Sequence, residues 1–403
     1  MQIVLHCCSF FSLIILVTAC ALTDAQPEMS NAPEKLSLRG TESLLDTTPT
    51  PINIPSIDTI RLAAVGDMML GTDYPSEHTL PANDGVGLLH GVEQYLQPFD
   101  LTFGNLEGVI GRGGKAKSCN DPRYCYTFRM PSHYTNHLKK AGFDVVSIAN
   151  NHANDFGAGG RKASAAVLDT SGLHYAGSID KPYTTFEKNG VKYGFLAAAP
   201  NSGCFSMKNY QEAVEMVAHL DSICDIVLVS FHAGAEGAKA THTPRKDEIF
   251  LGYNRGNVYK FAHNCIDAGA DVLLGHGPHV TRAAEVYKDR FITYSMGNFC
   301  TYAKFSLRGP KGVGPIFQLM LDKEGRFLGG NVVSTKQLGE GIPVLDEERQ
   351  ALKQLQELSK SDFPESPLVI TDEGELYLPV KKETPALVPT APTIDSTTIQ
   401  TQK

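Results

Sequence analysis

The sequence predicts an α/β fold with two packed sheets, helices outside them and functional loops at strand ends. Short apolar runs followed at once by Asp, Asn, Glu or His occur five times. Helical segments alternate with these runs, which is typical of βα units around a parallel sheet. A later series of strands without helices between them favours two sheets packed together.

The stretch from Asp144 to Gly157, DVVSIANNHANDFG, shows this pattern most fully. Its apolar start, Val145 to Ile148, predicts a buried strand of a parallel sheet. Polar residues follow immediately, and Gly157 precedes a segment of helical pattern. Open α/β sheets bind ligands at the carboxyl ends of their strands, so this loop is a candidate functional site.

Four further loops have the same form. Their apolar runs are Leu62 to Val65, Leu101 to Phe103, Ile226 to Phe231 and Val272 to Leu274. The polar residues after these runs are Asp67, Asn105, Glu107, His232, Glu236, His276 and His279. Together the five loops supply imidazoles, carboxylates and amides, which form the mixed ligand set of a hydrolytic metal centre.

The remaining elements follow in order along the chain. Helical patterns cover Ser132 to Ala141, Ala158 to Thr170, Tyr210 to Ile223, Asn257 to Asp267 and Asp346 to Leu358. Further strands are predicted at Lys192 to Ala198, Phe291 to Tyr294, Ile316 to Leu321 and Phe327 to Val333. The turn Lys323-Glu324-Gly325 joins the last two strands.

Composition limits the class of protein. The chain has 403 residues, of which 42% are hydrophobic and 20% charged, and this favours one large globular domain. Its net charge of -8 argues against a nucleic-acid partner, because an acidic surface repels phosphates.

The first 19 residues are predicted to be a signal peptide. Phe10 to Val17 is apolar but too short to span a membrane. The sequence Val17-Thr18-Ala19-Cys20 resembles the lipobox of bacterial lipoproteins, in which Cys20 is lipidated, although no Lys or Arg precedes it. We expect an exported, lipid-anchored protein of the cell envelope, and the alternative is a soluble secreted protein cleaved near Ala19 or Ala25.

Composition also sets the domain boundaries. Residues 20–56 are rich in Pro, Thr, Ser and Asn and predict a flexible linker, and the Pro- and Thr-rich residues 381–403 predict a disordered tail. The folded domain is expected at residues 57–380. Within it, Cys119 and Cys125 are the best local disulfide pair, whereas Cys224 and Cys265 are expected to be buried apolar residues.

Six motifs carry a resemblance to a known family. GDMMLG, GNLEG, ANNHANDFG, HAGAEG, GHGPHV and YSMGNF occur in the order seen in CapA-type proteins of poly-gamma-glutamate capsule synthesis. That group is related to calcineurin-like metallophosphoesterases, and the resemblance covers roughly Arg61 to Asn298. It implies a four-layer α/β/β/α sandwich, metallophosphoesterase-like, with the site on loops at the carboxyl ends of the strands.

The resemblance also implies roles for individual residues. The implied metal ligands are Asp67, Asn105, Glu107, Asn151, His232, His276 and His279. In catalysis, His152 would contact the developing charge, Asp155 would orient His152, and Glu236 would be a ligand or a general base. The expected cofactor is one or two divalent ions of Mn, Fe or Zn, which would lower the pKa of water from about 15.7 to roughly 7.

One motif departs from the metallophosphoesterase pattern. The first motif usually reads Asp-x-His, but here Met68 and Met69 follow Asp67. The loss of this imidazole leaves three alternatives open. The site holds a single ion, Glu107 or Glu236 compensates, or hydrolysis has been lost.

A basic segment is a candidate for substrate binding. Gly111 to Arg129 carries five cationic side chains against Asp121 alone, and Arg112, Lys115 and Arg123 are the candidates to bind an anion. The alternative is a solvated surface loop.

Two functions remain open from the sequence. The first is a metal-dependent hydrolase of capsule or poly-gamma-glutamate biosynthesis, acting on an anionic polymer, a phosphoester or an amide bond. The second is a non-catalytic accessory protein with a degenerate metal site, which binds the polymer and supports its export by membrane-bound synthesis machinery.

Overall fold

The computed structural model describes residues 59–118 and 126–379 of the chain. The strands in these ranges are β1 (Ile60–Met69), β2 (Leu101–Leu106), β3 (Val109–Ile110), β4 (Arg129–Met130), β5 (Val145–Ser147), β6 (His174–Ala176), β7 (Tyr183–Lys188), β8 (Val191–Ala198), β9 (Ile226–His232), β10 (Ile249–Phe250), β11 (Tyr253–Asn254), β12 (Val272–His276), β13 (Ala284–Tyr287), β14 (Arg290–Thr293), β15 (Asn298–Thr301), β16 (Val313–Leu321), β17 (Phe327–Leu338), β18 (Ile342–Leu345), β19 (Val369–Ile370) and β20 (Glu375–Tyr377).

Five α-helices accompany the strands in the described part of the chain. They are α1 (Thr135–Lys140), α2 (Gly157–Ser171), α3 (Tyr210–Asp221), α4 (Val258–Asp267) and α5 (Gln350–Asp362). Each falls within one or a few residues of a segment whose sequence has a helical pattern. None of the helices here has the length and apolar character that crossing a bilayer requires.

The first sheet has ten strands in the order β19-β20-β17-β16-β1-β2-β5-β6, with β15 beside β1 and β18 beside β17. The strands β1, β2, β5 and β6 run parallel, as does β15 next to β1. Antiparallel strands β16, β17 and β20 extend the other half. The polar loops after β1, β2 and β5 therefore leave the same edge of this sheet.

The second sheet has six strands in the order β13-β14-β12-β9-β8-β7. Its centre is parallel, because β8, β9, β12 and β14 run in one direction. Hairpins add the antiparallel edge strands β7 and β13. His232 and His276 are the last residues of the neighbouring strands β9 and β12, so the loops that follow these strands leave the sheet side by side.

Three apolar clusters define four layers. The central cluster joins side chains of both sheets, such as Phe103 of β2 and Phe195 of β8. A second cluster packs α1 and α2 on the outer face of the first sheet, with Leu138 and Leu168 among its members. The third packs α3 and α4 on the outer face of the second sheet. This α/β/β/α arrangement confirms the expected fold class.

Several expectations fall outside the described residues. They concern the signal peptide, Cys20, the linker, the Cys119–Cys125 pair, Arg123 and the terminal tail. Among the cysteines that the structure does describe, Cys204, Cys224, Cys265 and Cys300 are free thiols, and Cys224 is only partly buried.

The layer between the sheets should dominate stability. Phe195 is fully buried there, and its ring meets Phe103 edge to face with centroids 5.7 Å apart. We expect Phe195→Ala to lower the free energy of unfolding by about 3–5 kcal/mol, since it removes apolar contacts and leaves a cavity. Urea denaturation would measure the change. Leu328→Ala, at a half-exposed position, is the control, and an equal loss in both variants would contradict the packing described here.

Candidate metal centre

Strand register brings the predicted site residues together in pairs. Asp67 of β1 lies opposite Asn105 of β2 and Asn298 of β15. In the second sheet, His232 of β9 lies opposite His276 of β12. Because all these strands are parallel to their partners, the paired side chains meet at the carboxyl ends of the two sheets.

Asp67 is fully buried, and its carboxylate contacts side chains of both sheets and of the loop after β12. Its Oδ1 accepts a hydrogen bond of 2.8 Å from Asn105 Nδ2 and lies 3.2 Å from His276 Nδ1. Its Oδ2 lies 2.9 Å from His279 Nδ1. Burial alone would raise the pKa of Asp67, but the contacts with His276 and His279 outweigh it and hold the pKa well below the usual range.

Three side chains form the group best placed to share an ion. One ligand atom from each of Glu107, His232 and His279 lies within 4.8 Å of the others. Glu107 and His232 are fully buried. Burial raises the pKa of Glu107 well above its usual range, and burial also lowers the pKa of His232.

The polar atoms of this group fit a divalent cation. Both carboxylate oxygens of Glu107, Nε2 of His232 and Nε2 of His276 are buried with no hydrogen-bond partner in the described part of the chain. Buried polar atoms are nearly always satisfied, and leaving one unsatisfied costs about 1–3 kcal/mol. Carboxylate and imidazole ligands suit Mn, Fe or Zn, and a cation between them would satisfy several of these atoms at once.

His279 connects the group to Asp67. Its backbone has a φ of +58°, which is uncommon outside glycine, and Nδ1 faces Asp67 Oδ2 at 2.9 Å and Asn298 Oδ1 at 3.1 Å. Two acceptor oxygens at Nδ1 place a proton there and turn Nε2 toward Glu107 Oε1, 3.7 Å away. Burial opposes the charge, but Glu107 and Asp67 raise the pKa of His279 to about 10, so a cation at Nε2 would displace a proton.

A second imidazole lies across Glu107 from His279. His152 Nε2 is 3.8 Å from Glu107 Oε1, and its Nδ1 is 2.8 Å from Asp155 Oδ2. Asp155 also accepts a hydrogen bond of 2.7 Å from the backbone N–H of Phe128, and it forms an ion pair with Lys117. Burial lowers the pKa of His152, although Asp155 partly opposes this. Asp155 thus engages Nδ1 of His152, while Nε2 is the ring nitrogen near Glu107.

The amides differ in how their oxygens are used. Asn105 donates to Asp67 through Nδ2, and its Oδ1 faces Asn150 Nδ2 at 3.4 Å. The Asn105 oxygen, which was expected to bind metal, is therefore engaged by another amide in this structure. Asn151 Oδ1, in contrast, is buried and has no hydrogen-bond partner within residues 59–118 and 126–379. Of the two, Asn151 has the free oxygen.

The group adjoins a cavity of about 880 Å³ through His279. His152, His279 and Asn151 line it, and so do aromatic side chains including Phe128 and Phe305. The charged residues of the lining are Lys117, Lys208, Glu236, Arg255, Lys304 and Lys311. Five cations against one carboxylate make the wall of this cavity suited to an anion.

Glu236 lies at the edge of the site and is paired with Arg255. Its Oε1 lies 3.0 Å from Arg255 Nη1, and its Oε2 lies 4.0 Å from His279 Nε2. The carboxylate is therefore within reach of the group but is held by Arg255. Arg255 follows β11, a strand of only two residues, and neither Arg255 nor Lys208 belongs to a motif identified in the sequence, so the sequence pattern did not indicate either residue.

The basic segment contributes less than expected. Arg112 pairs with Asp73 and Glu77 at 3.4 and 3.3 Å, and neither Arg112 nor Lys115 lines the cavity. Arg123 lies outside the described residues. From this segment the cavity is lined by Lys117, Tyr126 and Phe128.

Comparison with known proteins identifies the relatives of the chain. Residues 61–303 match the family model described as "Bacterial capsule synthesis protein PGA_cap". The chain is 26% identical over 280 residues to "Capsule biosynthesis protein CapA" of Bacillus anthracis, covering 62% of this chain and 61% of that one. It is 28% identical over 260 residues to "PGA biosynthesis protein CapA" of Bacillus subtilis, covering 60% and 64%. The chain thus spans about three fifths of the length of these relatives.

Solved structures give a weaker likeness. A 5'-nucleotidase precursor from Thermus thermophilus is 13% identical, with a TM-score of 0.38, covering 73% of this chain and 57% of that one. A likeness at this level says nothing about the reaction.

Metal content tests the centre directly. We expect the chain from Ala21 onward, reconstituted separately with Mn, Fe or Zn, to retain about one or two equivalents of one of these metals. His232→Ala should lose most of it, because one of the three converging ligands is removed. Elemental analysis after desalting is the measurement, and His90→Ala, whose side chain is 80% exposed, is the control. Equal metal in His232→Ala and wild type would exclude this centre.

Proposed function

The chain belongs to the bacterial capsule synthesis protein family PGA_cap, and from this premise we propose that it is a metal-dependent hydrolase of an anionic envelope polymer. The bond cleaved is a phosphoester or an amide. One observation carries the proposal: the buried, unpartnered ligand atoms of Glu107 and His232 converge with His279, and His279 lines a cavity rich in cationic side chains.

The residues of the chain divide into ligands and proton carriers. Glu107, His232 and His279 would hold the ion, with Asp67 and His276 beside them. A divalent ion there would act as a Lewis acid and lower the pKa of water. Asp67 and Asn298 keep the proton of His279 on Nδ1, and this leaves Nε2 to face the centre.

His152 is the residue best placed to move a proton. Asp155 accepts from Nδ1, so the Nε2 lone pair points toward Glu107 and the cavity. Nε2 can take a proton from an attacking water and return it to the leaving oxygen or nitrogen. The ring of Phe128, tilted by 33° with its centroid 4.1 Å from that of His152, packs on the imidazole and shields it from water.

Substitution of His152 separates catalysis from metal binding. We expect His152→Gln to lower kcat about 10²- to 10⁴-fold, since it removes the proton carrier, while metal content stays unchanged. The substrates would be p-nitrophenyl phosphate, bis-p-nitrophenyl phosphate and a γ-linked glutamate oligomer, each assayed with and without chelator. His90→Ala is the control. Undiminished hydrolysis in Glu107→Ala or His152→Gln would exclude the proposed mechanism.

A second candidate function rests on Met69. This residue is fully buried at the end of β1, where the first motif of metallophosphoesterases has an imidazole. A chain without hydrolytic activity could still bind an anionic polymer through the cationic wall and serve as an accessory of polymer export. In that case sedimentation would show polymer binding by both wild type and His232→Ala, with no shortening of the polymer in either.

We also propose that the protein acts outside the cytoplasm, anchored to a membrane by a lipid on Cys20. The lipobox-like sequence before Cys20 supports this location. Cys20→Ala should move the protein from the detergent phase to the aqueous phase in Triton X-114 partitioning of cells that express the full chain, because the two-chain or three-chain anchor is lost. Partitioning of both forms into the aqueous phase would instead favour a soluble secreted protein.

A further inference from the structure

Two arginine–glutamate pairs hold the segment that follows β9, and their hydrogen bonding differs. Arg282 is fully buried, and Nη1 and Nη2 each donate to one carboxylate oxygen of Glu248 at 2.8 Å. Its Nε donates to the carbonyl oxygen of Ala240 at 2.7 Å. Every nitrogen of this guanidinium is therefore engaged, as expected of a structural pair.

Arg255 forms the second pair, and its guanidinium is only partly satisfied. The residue is 6% exposed, and Nη1 lies 3.0 Å from Glu236 Oε1. Its Nε and Nη2 are buried and have no hydrogen-bond partner among residues 59–118 and 126–379. Buried cationic donors without acceptors are unfavourable, and the described residues leave these two nitrogens without one, so an external acceptor would stabilise them.

The two free nitrogens lie on one edge of the guanidinium. Glu236 occupies Nη1, while Nε and Nη2 present parallel N–H groups, the fork that binds two oxygens of one carboxylate or phosphate. Backbone hydrogen bonds fix the residue, because Arg255 N–H donates to the Glu248 carbonyl at 2.7 Å and its carbonyl accepts from Gly234. The Arg282–Glu248 pair thus anchors the backbone to which Arg255 is hydrogen-bonded.

The surroundings of Arg255 favour an anionic ligand. Arg255 lines the same cavity as His279, and Glu236 bridges them, 3.0 Å from Arg255 Nη1 and 4.0 Å from His279 Nε2. The other charged residues of the cavity wall, apart from Glu236, are the lysines Lys117, Lys208, Lys304 and Lys311. An anion bound at Arg255 would be close to the candidate metal centre without taking its ligands.

We infer that Arg255 is a specificity-determining residue, whose Nε–Nη2 edge binds an oxyanion of the substrate, a carboxylate or a phosphate, beside the reacting bond. This inference rests on the proposed function only in placing the oxyanion beside a reacting bond. The role of Glu236 follows from it. Glu236 contacts Nη1 and so fixes the orientation of the guanidinium, including its free Nε–Nη2 edge. Glu236 is therefore a positioning residue.

Calorimetric titration of the metal-reconstituted full chain tests this role, with inorganic phosphate and glutarate as separate probes. We expect Arg255→Gln to weaken binding of the preferred oxyanion about 10- to 100-fold, since two charge-assisted hydrogen bonds are lost. Arg255→Lys retains the charge and a partner for Glu236 but lacks the fork of two parallel N–H groups. Its affinity for the oxyanion should therefore lie between those of wild type and Arg255→Gln. Comparison of the probes shows whether the ligand group is a phosphate or a carboxylate.

The control is Arg326→Gln, an arginine paired with Asp322 that does not line the cavity. Its oxyanion affinity should equal that of wild type, and metal content and circular dichroism should be unchanged in all variants. Wild-type affinity for both probes in folded Arg255→Gln, or in Arg255→Lys if the first variant does not fold, would overturn the inference. Failure of wild type to bind either probe at millimolar concentrations would overturn it too.

The titration needs no turnover, so the two proposals fail separately. A chain that loses oxyanion binding on substitution of Arg255 but hydrolyses nothing would support this inference and contradict the hydrolase. A chain that hydrolyses a substrate but whose affinity for phosphate and glutarate does not change on substitution of Arg255 would support the hydrolase and contradict this inference.

Discussion

The buried carboxylate of Asp67 is the interaction on which the site depends. It accepts a hydrogen bond from Asn105 of its own sheet and contacts His276 and His279 of the second sheet. A carboxylate removed from water costs several kcal/mol unless close donors or cations compensate it. Both sheets must therefore bring their carboxyl ends to one point, and the central apolar layer, which packs Phe103 against Phe195, sets the distance at which they do so.

Close approach of the two loops in the second sheet also depends on Gly277. Its φ is +116°, and a Cβ at this position would lie 2.4 Å from the carbonyl oxygen of Ala233. A side chain would push the loop after β12 away from the loop after β9. His276 and His279, which flank this glycine, would then move away from Asp67. The motif GHGPHV thus combines its two imidazoles with the one residue that lets them reach the centre.

The sequence predicts the part of the site that local pattern determines. Polar residues at or after the carboxyl ends of buried parallel strands must meet at a sheet edge, and Asp67, Glu107, His152 and His279 do so. Ion pairs between residues far apart in the sequence have no local signal. Arg255 pairs with Glu236, and Lys117 pairs with Asp155, only once the chain has folded. The same limit applies to short elements. β10, β11 and β15 are two to four residues long, too short to show a period.

The charges of the site are arranged in two opposed regions. Asp67 and Glu107, behind His279, are buried carboxylates that suit a cation, while the cavity wall carries Arg255 and four lysines, which suit an anion. On a chain of net charge -8, a wall with five cations and one carboxylate is a local feature and does not follow from composition. A metal ion and an anionic group bound together would neutralise both, and this is the charge pattern expected where a cation acts on an anionic substrate.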